Sequence, residues 1–154
     1  MDFGTAIATF FKRYFDFEGR SSRAEYWWFF LFNYLILIAA LILDIIIFGI
    51  AAMDETILFQ GLWSLATFIG MISLAVRRLH DIDKTGFWLL YIYAPLLVLI
   101  PSALFEDLAG GNFSIFLIVI AVLAMFALFI TVFVFSLLPG TKGRNRFGEN
   151  PLDL

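Results

Sequence analysis

Apolar and polar positions alternate along this chain in long blocks. Four apolar runs, at about 26–48, 57–76, 87–104 and 113–138, each match the ~20 residues a helix needs to cross a hydrocarbon core of ~30 Å. They predict an all-α integral membrane protein: a single domain over residues 1–154, built as a four-helix transmembrane bundle. Tyr26, Trp27 and Trp28 open the first run, Trp63 stands near the start of the second and Trp88 near the start of the third, the placement of interfacial aromatic belts. Pro95 and Pro101 each remove a backbone donor, which predicts a third helix bent or broken near Pro95 and ending at Pro101. Pro139-Gly140 stops the fourth.

Ahead of the first run, Phe3, Ile7, Phe10, Phe11 and Tyr14 recur at spacings of three and four, with Thr5, Thr9, Lys12 and Arg13 elsewhere. That pattern predicts a short N-terminal amphipathic helix lying in the membrane interface. Gly19 allows a turn, and Ser22 with Glu25 three residues later is a capping-box pattern, so a helix is expected to start there. Residues 1–18 carry Asp2, Asp16 and Glu18 and lack an apolar core followed by a small-residue cleavage site. Insertion is therefore expected to be directed by the first span and not by a cleavable signal.

Composition sharpens the class. Hydrophobic residues make up 62% and charged residues 15%, against about 25% charged in soluble domains. A water-soluble core of this size has no room for that excess, so the bilayer must take it. A net charge of −3, with no basic face bearing stacking aromatics, argues against a nucleic-acid partner. There is no cysteine and one histidine, hence no disulfide, no thiolate nucleophile and no metal site with two histidines. Phosphate-cradling loops, nucleophile elbows and zinc motifs are also missing from the sequence. No cofactor, metal or catalytic residue is assigned, and a non-enzymatic role is favoured over an enzymatic one.

Charge gives the orientation. Lys12, Arg13, Arg20 and Arg23 precede the first span, Arg77, Arg78 and Lys84 follow the second, and Lys142, Arg144 and Arg146 follow the fourth. The two opposite loops hold only Asp54, Glu55, Glu106 and Asp107. By the positive-inside rule both termini and the Arg77 segment are cytoplasmic.

The densest chemistry is Arg77-Arg78-Leu79-His80-Asp81. On a helix continued past Val76 either arginine reaches Asp81. The favoured reading is a basic anchor with a local salt bridge; a site for anionic headgroups or a partner's acidic segment comes next, and acid–base chemistry last. Arg20, Arg23 and Glu25, and Arg144, Asn145 and Arg146, lie at the same level. Such juxtamembrane cations attract anionic lipid by about 1 kcal/mol each. Together these segments are expected to form a polar cap in which Glu25 and Asp81 pair with arginines from other segments.

Within the spans, Asn33 lies roughly 9 Å below Trp27 and Asp44 roughly 25 Å along, near the outer edge. Asp44 is expected to reach outward to water, with a lumen-facing or proton-coupled role as the alternative. Gln60, Ser64, Thr67 and Ser73 are expected to bond neighbouring helices.

Three segments occurring in order carry a resemblance. Phe17-Glu18-Gly19-Arg20-Ser21-Ser22-Arg23-Ala24-Glu25-Tyr26-Trp27 is the first. The Arg77 to Asp81 run with Gly86 and Trp88 is the second, and Pro139-Gly140-Thr141 with Asn145-Arg146-Phe147-Gly148 and Pro151 is the third. Together they resemble domain-of-unknown-function family 805, over nearly the whole chain, with Thr85-Gly86-Phe87 standing where Ser-Gly-Trp is expected. The resemblance implies a small multi-pass protein of the bacterial inner membrane and carries no mechanism. The expected function is an interaction or regulatory module for anionic lipid headgroups or a membrane partner, either another membrane protein or a second copy. A small transporter or channel subunit using Asn33, Asp44 and Gln60 is the alternative. An enzyme acting on lipid or isoprenoid phosphates, with His80 and Asp81 as acid and base, is the third.

Overall fold

The computed structural model describes residues 1–50, 58–95, 97 and 111–153. Among these the chain is all-helical: α1 is Phe3–Lys12, α2 Arg23–Phe48, α3 Leu58–Asp81, α4 Phe87–Tyr91 and α5 Gly111–Leu137. Three helices are long and apolar enough to cross a membrane: α2, α3 and the Ile115–Leu137 portion of α5. Leu, Ile and Phe cover much of their outer faces, as lipid contact requires of a membrane protein.

α2 starts three residues before the first apolar run because Ser22 caps it, its hydroxyl accepting from the Glu25 N–H at 3.2 Å. Only half of the capping box forms, since the Glu25 carboxylate turns to Ser21 and Arg77. At its other end Gly49, at φ +79°, closes the helix through its N–H to the Ile45 carbonyl. α3 continues past Val76 to Asp81, so Arg77, Arg78, His80 and Asp81 sit on a helix end.

The N-terminal helix forms as expected, capped by Asp2 on the Thr5 N–H at 2.9 Å, but its surroundings differ. Ala6 and Phe10 are fully buried against α2 and α3, while Phe3 and Phe11 stay exposed. The Phe10 ring stacks on Phe29 at 3.4 Å, and Phe10, Phe29 and Leu74 form the main apolar core. Gly70 explains the close approach. The Tyr14 ring lies 2.6 Å from where a Gly70 Cβ would stand, so only glycine leaves room. Tyr14 then donates to the Ala66 carbonyl at 2.7 Å, and Ser73 donates to the Tyr14 carbonyl at 2.9 Å. α1 is thus docked on the bundle and does not lie alone in the interface.

The expected third span is visible only at its start. α4 ends at Tyr91, four residues before Pro95, where a proline ring would clash with the helical carbonyl. Tighter bonds follow, from Ala94 N to Tyr91 O and Leu97 N to Ala94 O. Pro101, the acidic loop residues Asp54, Glu55, Glu106 and Asp107, and most of the run to 104 lie outside the described residues.

The intramembrane polar groups are also settled differently. Asp44 is buried, and its carboxylate accepts from the Phe59 and Gln60 N–H groups at 3.0 and 3.2 Å, satisfying the first turn of α3 from the neighbouring helix. It does not reach water. Asn33 accepts from Trp63 Nε1 at 2.9 Å, also across the α2–α3 interface. Gln60 takes part through its backbone.

Candidate functional site

α2 leaves the polar end of the bundle, α3 returns to it and α5 ends at it, so three chain segments meet there. Most of the buried residues at this end are polar or charged. A buried guanidinium is tolerated only when acceptors surround it, and each carries five N–H donors.

Arg77 is fully buried. Its Nε donates to Ser21 Oγ at 3.1 Å, one terminal nitrogen reaches the Arg13 carbonyl at 2.9 Å, the Asp16 carbonyl and Ser73 Oγ, and the other reaches Glu25 Oε1 at 3.4 Å. The Ser21 N–H donates back to the Arg77 carbonyl at 3.0 Å. This one side chain fastens the α1–α2 connection to α3.

Arg20 performs the same task for the C-terminal segment. Its Nε meets Asp81 Oδ1 at 3.0 Å, and its terminal nitrogens reach the carbonyls of Thr141 and Gly143 at 2.6 Å each, with longer bonds to Gly148 and Asp81. Arg78 pairs with the other Asp81 oxygen and donates to the Ser136, Leu138 and Ser21 carbonyls. Of the two arginines within helical reach of Asp81, Arg78 at three residues makes the contact, while Arg77 points to Glu25. Asp81 therefore lies between Arg20 and Arg78, and its own carbonyl accepts from the Thr141 N–H at 2.8 Å.

In this arrangement Arg20, Arg77 and Arg78 turn their donors inward. Arg20 and Arg77 each make five bonds to protein acceptors, using all three guanidinium nitrogens, and Arg78 makes four. They hold the fold together and have little left for an outside anion.

His80 is nearly buried, and its ring lies flat on Phe147 at 3.8 Å. Its Nδ1 stands 3.0 Å from the Gly19 carbonyl, so that nitrogen carries the proton. Asn145 donates to the His80 carbonyl and to Thr141 Oγ1, both at 2.9 Å, and forms a tight turn with Gly148. Arg146 is more exposed. It pairs with Asp83 at 3.1 Å and sits 4.7 Å from the Phe147 ring centre. Arg23 is exposed as well, donating to the Leu137 carbonyl at 3.3 Å.

Beside the clasp, Asp16 has its carboxyl held below the ordinary 3.8: partial burial pushes it up, but bonds from Arg13 and the Glu18 N–H pull it further down. A cavity of about 580 Å³ opens at the same end, bordered by Arg23, Trp27, Leu137, Pro139, Lys142 and Leu152. A second, apolar cavity of about 420 Å³ lies beside His80, between Val76, Gly86, Leu90 and Phe147.

Ser21, Ser136, Gly140, Thr141 and Phe147 complete the site together with Ser73, whose hydroxyl, expected to bond a neighbouring helix, donates to the Tyr14 carbonyl just past α1. Ser21, Gly140, Thr141 and Phe147 do fall inside the three family segments, and that was their only signal. Ser136 sits in an apolar run, where a small hydroxyl has no distinguishing pattern.

Residues 14–149 match the family model described as protein of unknown function (DUF805), and the chain belongs to that family. It is similar to the Inner membrane protein YhaI of Escherichia coli (strain K12), 36% identical over 104 residues, which is 66% of this chain and 84% of that protein. It is also similar to the Inner membrane protein YhaH of the same strain, 30% identical over 140 residues, or 91% of this chain and 90% of that protein. No solved structure matches the chain.

Proposed function

We propose that this DUF805 member is a four-helix inner-membrane bundle whose cytoplasmic end is a prebuilt platform for anionic lipid headgroups. The division of its cations carries this reading. Arg20, Arg77 and Arg78 are buried and occupied by the protein, whereas Lys12, Lys84, Lys142 and Arg144 face outward around them. The three lysines make no ion pair among the described residues, and Arg144 makes only a long one of 3.6 Å to exposed Glu149. A rigid clasp ringed by such cations suits the negative surface potential of a cytoplasmic leaflet.

The fourth span belongs to the same reading. α3 ends at the polar end and α5 ends there too, after running about 40 Å at 1.5 Å per residue. A crossing near 87–104 would carry the chain from the end of α3 to the far end, where α5 begins. The paired states of Asn33 and Asp44 give a transporter reading no open polar path among the described residues. His80, stacked on Phe147 beside an apolar cavity, gives an acid–base reading little to act on.

The test is thermal unfolding of the purified protein in nanodiscs of rising phosphatidylglycerol content. The melting temperature is expected to rise with anionic lipid at low salt and to lose that rise at high salt, since exposed charges are screened over about 8–10 Å near 0.1 M. In a Lys12→Gln/Lys84→Gln/Arg144→Gln protein the rise should shrink. A melting temperature indifferent to lipid charge would reject the platform.

A further inference from the structure

The cavity beside Arg23 and Lys142 has a composition that the clasp does not need. Arg23 comes from the first turn of α2 and Lys142 from the segment after α5, so two cations from distant parts of the chain border one space. Lys142 is exposed and makes no ion pair among the described residues, and Arg23 uses one terminal nitrogen on Leu137, leaving its other donors for a ligand. The lining is also apolar in part, through Trp27, Leu137 and Pro139, where two membrane-crossing helices reach the polar end. Trp27 is fixed there by its Nε1 bond to the Ser136 carbonyl at 3.3 Å.

Among the described residues Asp81 lines this cavity and Asp153 is bonded to the lining residue Asn150, and neither blocks an anion. Asp81 lines the cavity, but its oxygens are held by Arg20 and Arg78. Asp153 lies nearby, held by the Asn150 amide at 3.0 Å, and is exposed to solvent. A volume of about 580 Å³ falls within the ~300–1,000 Å³ of small-molecule sites.

We infer that this cavity holds the headgroup of one anionic phospholipid, with Arg23 and Lys142 on the phosphate and Trp27, Leu137 and Pro139 against the glycerol and first acyl carbons. The inference rests on the platform reading and narrows it from a diffuse surface to one stoichiometric site. Two cations and apolar side chains from the ends of the spans in one lining match a molecule that is charged at one end and oily at the other. A free phosphate would use the first feature and leave the second unused.

Native mass spectrometry of the full chain, released from micelles containing equal phosphatidylglycerol and phosphatidylcholine, reads this directly. The wild-type protein should retain one phosphatidylglycerol in preference to phosphatidylcholine. Arg23→Gln/Lys142→Gln should lower that retention about tenfold or more, as the loss of two juxtamembrane charges implies. Lys142→Gln alone, on an exposed side chain with no part in the clasp, should lower it in the same direction and guards against misfolding of the double variant. Equal retention of the two lipids, or an unchanged preference in both variants, overturns the site. Displacement of the lipid by excess glycerol phosphate would also overturn it, by assigning the cavity to a soluble anion. Anionic stabilisation in nanodiscs without a retained lipid rejects the cavity alone; loss of both rejects the platform as well.

Discussion

Arg20 and Asp81, 61 positions apart, face each other at 3.0 Å with side chains that are 0% and 4% exposed. Without its partner Asp81 would be left with Arg78 alone, and Arg20 would lose its only carboxylate among the described residues. Breaking one member of a buried pair typically costs about 3–5 kcal/mol, more than the pair itself is worth, because a desolvated charge is stranded. Arg20→Gln and Asp81→Asn are each expected to destabilise on that scale. The double variant should be less damaged than the sum, with a coupling of about 1–3 kcal/mol in a double-mutant cycle read by unfolding in mixed micelles. Strict additivity would show that the two charges act independently.

Gly140 is tightly enclosed, since a Cβ there would fall on the Asp81 carboxylate. Gly140→Ala should therefore displace Asp81 and reproduce much of the Asp81→Asn loss. Gly143, at φ +64° with open space around it, offers the comparison. Gly143→Ala carries only the backbone strain of a left-handed residue, about 1–2 kcal/mol. Equal melting points for the two variants would refute the steric account.

Asp44 behaves as a cap contributed by a neighbouring helix. Asp44→Ala should cost about 0.5–2 kcal/mol, the range for losing a side-chain cap. Asp44→Asn, which keeps an acceptor oxygen, should cost less. Hydrogen exchange should show the loss confined to the first turn of α3, with the clasp at the other end untouched. A proton-coupled residue would show no such ranking in a transport assay, with Asp44→Asn as inactive as Asp44→Ala.

Asp16 supplies a pH signature. Its carboxyl is lowered in the folded protein, so it binds protons less readily than in the unfolded chain. Its contribution to stability is then fully present above the ordinary value of 3.8 and is lost as pH falls through the lower, folded value. Asp16→Asn should flatten that part of the acid limb and leave stability near pH 7 less affected than Asp81→Asn does. An acid limb identical to wild type would contradict the assignment.

Hydrophobic block length made the α2, α3 and α5 spans legible from sequence, and the Ser22–Glu25 spacing marked the start of α2 to within three residues. The sidedness of the ten cations was legible too, but sidedness asks only where a charge lies. It does not tell Arg77, which is fully buried, from Lys84, which is exposed. That distinction depends on acceptors at Arg13, Asp16, Ser21 and Glu25, brought in from segments up to 64 residues away. Asp44 was misread for a related reason: helix caps are recognised by local spacing, and this one caps a helix 15 residues further along the chain. The pairing of His80 with Phe147 was hidden in the same way, because nothing in either segment specifies the other.

The bonds from Arg20 to Thr141, Gly143 and Gly148 also set an order of events during synthesis. Chains emerge from the ribosome N-terminal end first, at about 5–20 residues per second. Arg20 and Arg78 are made long before the carbonyls at 136–148 that neutralise their donors, so the spans must enter the bilayer with the clasp open. Residues 136–148 thus lock two arginines that are made long before them.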